Sequence, residues 1–224
     1  MTANVFEQPL RQGVAALGLT LSDTQMDQLL GYHTLIQKWN KVYNLTAIRD
    51  PAEMLTHHLL DSLAIVAPLM RQTASASVNM LDVGAGAGLP GVVVAICCPQ
   101  VSVTCVDAVA KKMAFVQQVA TELKLPNLKA LHARVETLTQ KYDLITSRAF
   151  ATLLDFVTGS RAALTPVTGA WLAMKAKDTS AEVAELPSDV NVFHVEQLIV
   201  PGLDAERCIV WMRENQSNLL GFLA

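Results

Sequence analysis

The sequence predicts an α/β chain: a mostly parallel, seven-stranded sheet with helices on both faces, preceded by a helical extension. Three observations lead there. Apolar residues recur at helical spacing through about the first 70 positions. From residue 79 onward, short β-branched runs alternate with helical stretches, as in a parallel sheet covered on both sides. Half of the 224 residues are hydrophobic and 17% are charged, which suits a chain with a sizeable core. The small, polar stretch 71–77 reads as the linker between a helical extension, 1–78, and an α/β domain, 79–224, packed as one unit.

The elements follow in order. Between Ser22 and Val42, residues Met26, Leu29, Leu30, His33 and Ile36 fall on one side of a helix, with Leu35, Trp39 and Val42 close by. Asp50-Pro51-Ala52-Glu53 is a helix start, with an Asp cap, a Pro at the first helical position and a Glu spaced to reach back. The helix behind it turns Met54, Leu55, His58, Leu59, Ser62 and Leu63 inward. Strands are expected at 79–83, 101–107, 129–132, 143–147, 169–175, 192–199 and 208–213. Helices are expected at 89–98, 109–124 and 152–164. In such a sheet a ligand sits beyond the carboxyl ends of the strands, where the strand order reverses.

Composition narrows the function classes. No apolar run reaches the roughly 18–20 residues of a membrane helix, and Met1 to Leu10 lacks the basic start and apolar core of a signal peptide; the expected location is the cytoplasm. Cys97, Cys98, Cys105 and Cys208 stand in apolar runs without zinc spacing, so they read as small buried hydrophobes and no metal is expected. The net charge is −3. Residues 1–78 carry five Lys/Arg against six Asp/Glu, and the remainder twelve against fourteen. A nucleic-acid surface on this chain must therefore be a local patch. Lys38, Lys41, Arg49, Lys111, Lys112, Arg134 and Arg148 are its candidates.

The sharpest local signal is Leu81-Asp82-Val83-Gly84-Ala85-Gly86-Ala87-Gly88, a strand running into a loop with glycine at every second position. Glycines permit positive φ and let a ligand lie against bare backbone. Asp107 ends the following strand, where a carboxylate can accept hydrogen bonds from the hydroxyls of an adenosine ribose. Gly86 to Gly91 matches G-x-G-x-x-G, so a dinucleotide-binding dehydrogenase has to be weighed. Two features oppose it. The match begins two residues late, and Asp82 at the strand end would repel a pyrophosphate while suiting the sulfonium and α-ammonium of S-adenosylmethionine (AdoMet). Arg134-Val135-Glu136 after the third strand can bracket an adenine, although Glu136 also reads as a solvated helix-start acid. Arg148, just past the fourth strand, can grip an RNA phosphate or stack on a base, or simply form a surface salt bridge.

These residues resemble the glucose-inhibited division protein B family of 16S rRNA guanine-N7 methyltransferases. The resemblance is carried by Lys38 to Thr46 (K-W-N-K-V-Y-N-L-T), His58-Leu59-Leu60-Asp61-Ser62, Asp82 to Gly91, Arg134-Val135-Glu136 and Ser147-Arg148-Ala149-Phe150. It extends from about Ser22 to about Arg213. It implies a Rossmann-like, AdoMet-dependent methyltransferase fold acting on 16S rRNA in the 30S subunit or its assembly intermediate; a monomer is expected. Cofactor positions then fall on Gly84, Leu89, Val135, Glu136 and Arg148, with Asp107 matching the acid after the second strand. Asp82, Gly86 and Gly88 complete the expected cofactor set, and Arg148 is the expected catalytic residue, set between cofactor and RNA. Trp39, Tyr43, Asn44 and Thr46 are candidate RNA contacts, although at this spacing Trp39 reads more readily as a core anchor. Three positions depart from the pattern: Ala108 where the family usually has Ser, Lys112 in Lys111-Lys112 where it usually has Lys-Arg, and Ala176 where it often has Gly. Alternatives are a methyltransferase acting on another RNA or a small molecule, and a non-catalytic AdoMet- or RNA-binding assembly factor.

Overall fold

A computed structural model describes residues 4–148, 150, 152–176 and 179–215. Ala149 of the Ser147–Phe150 motif and the last residues of the 79–224 domain, 216–224, lie outside the described residues. Among the described residues, no helix is long and apolar enough to cross a membrane.

The extension contains α1 (Glu7–Ala16), α2 (Asp23–Tyr43), α3 (Pro51–Met54), a π-helical turn (Leu55–Leu60), α4 (Asp61–Leu63) and α5 (Val66–Gln72). Helix α2 begins with a full capping box, in which Ser22 Oγ accepts from the Gln25 amide and the Gln25 side chain accepts from the Ser22 amide. At Pro51 the cap is simpler: Asp50 Oδ1 accepts from both the Ala52 and the Glu53 amides, each at 2.9 Å. The expected inward face is found, since Met54, Leu55, His58, Leu59, Ser62 and Leu63 are all buried. On α2, Met26, Leu29, Leu30, His33, Leu35 and Ile36 are buried, but Val42 is exposed and Trp39 only half-buried.

Seven strands follow: β1 (Asn79–Val83), β2 (Ser102–Asp107), β3 (Leu128–His132), β4 (Leu144–Ser147), β5 (Ala170–Lys175), β6 (Val190–Leu198) and β7 (Arg207–Glu214). They lie in the order β3-β2-β1-β4-β5-β7-β6. The first five pair in parallel, and β7 runs antiparallel to both β5 and β6. The order reverses at β1, which has β2 on one side and β4 on the other, with Leu81 opposite both Thr104 and Ile145. Between the strands run α6 (Gly91–Cys97), α7 (Ala110–Glu122), α8 (Leu153–Ser160) and α9 (Ser180–Ala184). Helix α9 and the 3₁₀ turn Val135–Thr137 were not expected, because neither is long enough to show a period.

Side chains alternate across the sheet and build two cores. Met80, Val103, Leu172, Ile209 and Trp211 point to the side where α6 and α7 pack. Leu81, Val83, Val106, Trp171, Val210 and Met212 point to the side of α8. The extension shares the first of these cores: Leu10, Leu29, Ile36, Leu59, Leu63 and Leu69 belong to the same cluster as Val93, Phe115 and Trp211. Arg71 adds a 2.6 Å ion pair to Glu196 on β6. All four cysteines are buried, and none is in a disulfide.

If extension and sheet unfold as one body, Leu59→Ala, which empties a fully buried site in the shared core, shifts a single urea transition and costs about 2–5 kcal/mol. Two separated transitions by circular dichroism would show instead that the extension folds independently.

Candidate active site

Two clefts open at the carboxyl ends of the strands, on either side of the β1–β4 switch point. The first, of about 310 Å³, is lined by Gly84, Asp107, Val135 and Glu136 together with Val83, Val106, Ala108, Ala133, Arg134 and Phe150. Its floor is the loop leaving β1. The Gly84 amide bonds to Val106 O at 2.9 Å, which turns the chain away from the strand. Gly86 has φ +60, and a Cβ built there would meet only Gly84 O, at 3.9 Å, so this backbone stands open. Gly88 is different: with φ +93, a Cβ would lie 2.4 Å from Val92 Cγ2 and 3.2 Å from Val116 Cγ2. That glycine is required by both conformation and space. Asp107 is nearly buried and already organised, with Oδ1 accepting from the Val109 amide (2.9 Å) and Oδ2 from the Gly86 amide (3.0 Å) and Lys112 Nζ (3.4 Å).

Four of the expected cofactor residues, Asp82, Gly86, Gly88 and Leu89, are not among those lining this cleft: Gly86 is half-buried in the loop, and the other three are buried. Asp82 has no exposed surface from which to meet a charged ligand. Its Oδ2 accepts from the Gly91 amide at 2.8 Å and lies 3.9 Å from Cys105 Sγ, while Oδ1 has no partner. Asp82 therefore occupies the start of α6, and the amide that an open helix terminus would offer to a ligand is taken. Burial raises its pKa to about 7, against the Gly91 hydrogen bond and the charge of Arg148, which lower it.

Arg148 does not line this cleft. It belongs to the second cleft, of about 280 Å³, lined by Ile48, His57, His58 and Asp61 of the extension and by Arg148, Met174, Lys175, Ala176 and Arg207 of the sheet. Arg148 Nη1 donates to Asp61 Oδ2 (3.0 Å) and to His57 O (2.8 Å), and Nη2 approaches His58 Nδ1 at 3.4 Å. Arg207 Nε donates to Asp61 Oδ1 at 2.9 Å, so one buried carboxylate is shared by two guanidiniums. The π-turn makes the second of the Arg148 bonds available. The Asp61 amide bonds back to Thr56 O and His58 O, leaving the His57 carbonyl, its i−4 acceptor in a regular helix, for Arg148. His58 Nε2 lies 2.8 Å from Thr46 Oγ1, which also accepts from the Ile48 amide. An arginine only donates, so this arrangement suits a neutral His58 with its proton on Nε2. Burial, then the Arg148 charge, hold its pKa down at about 4.

Asp61, His58 and Arg207 are the functional candidates that sequence reasoning missed. A signal existed: His58 and Asp61 are three apart on a helix whose other inward positions are apolar, and a carboxylate on such a face needs a partner. The K-W-N-x-x-x-N-L-T segment turns out to brace this side. Asn40 Oδ1 accepts from the Thr46 amide, its Nδ2 donates to Ile48 O, and Asn44 ends α2 with φ 49. Trp39 stacks on Tyr43 at 5.2 Å beneath Lys38. Two of the three departures from the family pattern fall on cleft walls, Ala108 in the first and Ala176 in the second, and the third, Lys112, pairs with Asp107.

The doubly wound sheet, its glycine loop and the acid ending β2 define the Rossmann-like methyltransferase class, and solved structures share it. Magnesium protoporphyrin IX methyltransferase from Synechocystis PCC 6803, determined with bound SAM, superposes with a TM-score of 0.60 at 12% identity, covering 82% of this chain and 97% of that one. TrmN from Thermus thermophilus gives 0.55 at 17% identity, over 69% of this chain and 49% of that one. Sequence narrows the class further. The family model for GidB, rRNA small subunit methyltransferase G, matches residues 25–210, and the chain belongs to this family. Proteins named ribosomal RNA small subunit methyltransferase G from Albidiferax ferrireducens and a Polaromonas species are 63% and 64% identical, over 93% and 92% of this chain and 97% and 93% of theirs.

Opposite pH dependences follow from the two buried groups. Asp82, raised from 3.8 to about 7, contributes stability that is complete below pH 3.8 and lost as pH rises through 7. His58, lowered from 6.5 to about 4, contributes stability present above pH 6.5 and lost as pH falls through 4. In urea unfolding followed from pH 4 to 7, Asp82→Asn should therefore gain on the parent as pH rises, and His58→Gln should gain on it as pH falls. Parallel profiles for all three proteins would remove these assignments.

Proposed function

We propose that this chain transfers a methyl group from AdoMet to N7 of a guanine in 16S rRNA, acting as a cytoplasmic monomer on the 30S subunit or its assembly intermediate. The observation that carries the reading is the pair of clefts meeting at one switch point: an apolar one with a carboxylate beside bare backbone, and a cationic one built around Arg148. The first fits an adenosine. Asp107 is the acceptor for ribose hydroxyls, exchanging its 3.4 Å contact with Lys112 for them; Val83, Val106 and Val135 wall the apolar part, and Glu136 stands at the rim. AdoMet supplies an electrophilic methyl group on its sulfonium when bound.

The chain's own residues then bind, orient and exclude water. Guanine N7 presents a free lone pair, so no proton has to be removed before transfer. This agrees with the state of the buried groups at the second cleft: Asp61 is held by two arginines and His58 by Thr46 and Arg148, and neither is poised as a base. What remains is alignment, which can supply about 7–11 kcal/mol of the barrier. In A-form RNA the N7 edge lies in a groove too narrow and deep for side chains, so the target guanine sits in a loop or is splayed out. Lys38, Lys41, Arg49, Lys111 and Arg134 are exposed and give a dispersed basic rim on an acidic chain. Lys112 and Arg148 are engaged with acids instead.

Incubation with labelled AdoMet and, side by side, 30S subunits, naked 16S rRNA and small metabolites tests the reading. Mass mapping should place the label on N7 of one guanine; label on a small molecule, on protein or on another base atom would overturn it. Asp107→Ala should raise the KM for AdoMet about 10–100-fold, the worth of hydrogen bonds to a charged group. Arg148→Ala should lower kcat/KM by about 10²-fold through misplacement of the acceptor, and unchanged AdoMet affinity and turnover in that variant would end the role given to Arg148.

A further inference from the structure

Helix α2 touches the α/β domain through three polar side chains on one face, Gln25, Gln28 and Tyr32, spaced at i, i+3 and i+7. The first two do ordinary structural work. Gln25 Nε2 donates to Ile96 O and Cys97 O at the end of α6, and Gln28 Nε2 donates to Leu123 O at the end of α7. The last carbonyls of a helix lack partners within it, and these glutamines supply them.

Tyr32 is different, because its target is the glycine loop. Its hydroxyl is fully buried and donates to Ala87 O at 2.7 Å. Ala87 stands between Gly86 and Gly88, two residues at φ +60 and +93 whose conformations no side chain of their own constrains. The hydroxyl also lies 3.4 Å from the point where a Cβ on Gly88 would sit, so the phenol abuts the loop as well as bonding to it. On the far side of Ala87, the Gly86 amide is bound to Asp107, the carboxylate that closes the first cleft. One peptide group thus separates the Tyr32 bond from the cleft floor.

We infer that Tyr32 is a positioning residue for the cofactor loop: by holding the Ala87 carbonyl, the helical extension sets the path of Gly86 against Asp107 and makes cofactor affinity depend on docking of α2. This rests on the reading of the first cleft as the AdoMet site. Tyr32 touches neither cofactor nor acceptor, and its effect passes entirely through the loop.

Tyr32→Phe keeps the ring and removes only the hydroxyl, and Gln28→Leu serves as a control that loosens the same helix without touching the loop. Calorimetric titration with AdoMet should show the Kd of Tyr32→Phe raised about tenfold, the worth of one hydrogen bond, with kcat at saturating AdoMet within about twofold of the parent. In the ligand-free proteins, amide exchange at Gly86 and Gly88 should quicken in Tyr32→Phe alone. Gln28→Leu should lower Tm while leaving Kd and loop exchange unchanged. A Tyr32→Phe protein with lowered Tm but parental Kd and loop exchange would show the phenol to be packing only, and would overturn the inference while leaving the cleft assignment standing. Absence of heat from the parent protein would overturn the cleft assignment itself, and the inference with it.

Discussion

The loop between β1 and α6 has to lead bare backbone along an open cleft and still keep one conformation, and the rest of the site is arranged around that demand. Backbone alone cannot meet it, since glycines at positive φ are the residues that lose most freedom on ordering. The structure answers with bonds from three directions: Asp107 to the Gly86 amide, Tyr32 to the Ala87 carbonyl and Asp82 to the Gly91 amide. Two of these anchors, Tyr32 and Asp82, lie beneath the loop and out of solvent, and the third, Asp107, lines the cleft. The loop can therefore present an open surface at Gly86 because its own conformation is settled elsewhere.

The second cleft depends on a related balance of charge. Asp61, 3% exposed, accepts from Arg148 and Arg207, which approach it from β4 and β7. Burying a lone carboxylate is costly, and removing one partner of a buried pair typically costs about 3–5 kcal/mol. Here the carboxylate also keeps two guanidiniums together in a small space, so the cationic character of the cleft and the docking of the extension are one arrangement. The π-turn contributes by leaving the His57 carbonyl for Arg148. Because Asp61 and His58 are already engaged, this side of the site orients an acceptor and draws no proton from it, in keeping with a nucleophile that carries its own lone pair.

Much of the fold was legible because its elements are long and strongly patterned. β1 runs from 79 to 83 as expected, the other strands and α2, α6 and α7 agree to within one or two residues, and α8 ends at Ser160, four residues short of the expected 164, where a 3₁₀ turn takes over. The antiparallel β6–β7 pair was legible as strands and not as direction, since alternation along a strand carries no record of its neighbour's polarity. In the site, Gly84, Asp107, Val135 and Glu136 were brought into one cleft as a strand–loop–strand rule anticipates. The position of Asp82 at a strand end is compatible with either facing a ligand or capping the next helix, and it is burial, not sequence, that shows the second contact. Arg148 was read as standing at the cofactor edge, and the chain packs it toward the extension.

By itself, then, the sequence determined the elements, their order, the glycine loop and the acid after β2, because each depends on periodicity or on backbone freedom within a few residues. Tertiary structure alone decided that Tyr32 reaches Ala87, 55 residues away, and that Asp61 meets Arg148 and Arg207 across separations of 87 and 146 residues. Those contacts depend on how the extension lies over the sheet. That placement is set by the shape of a shared core, and no local pattern in the chain encodes it.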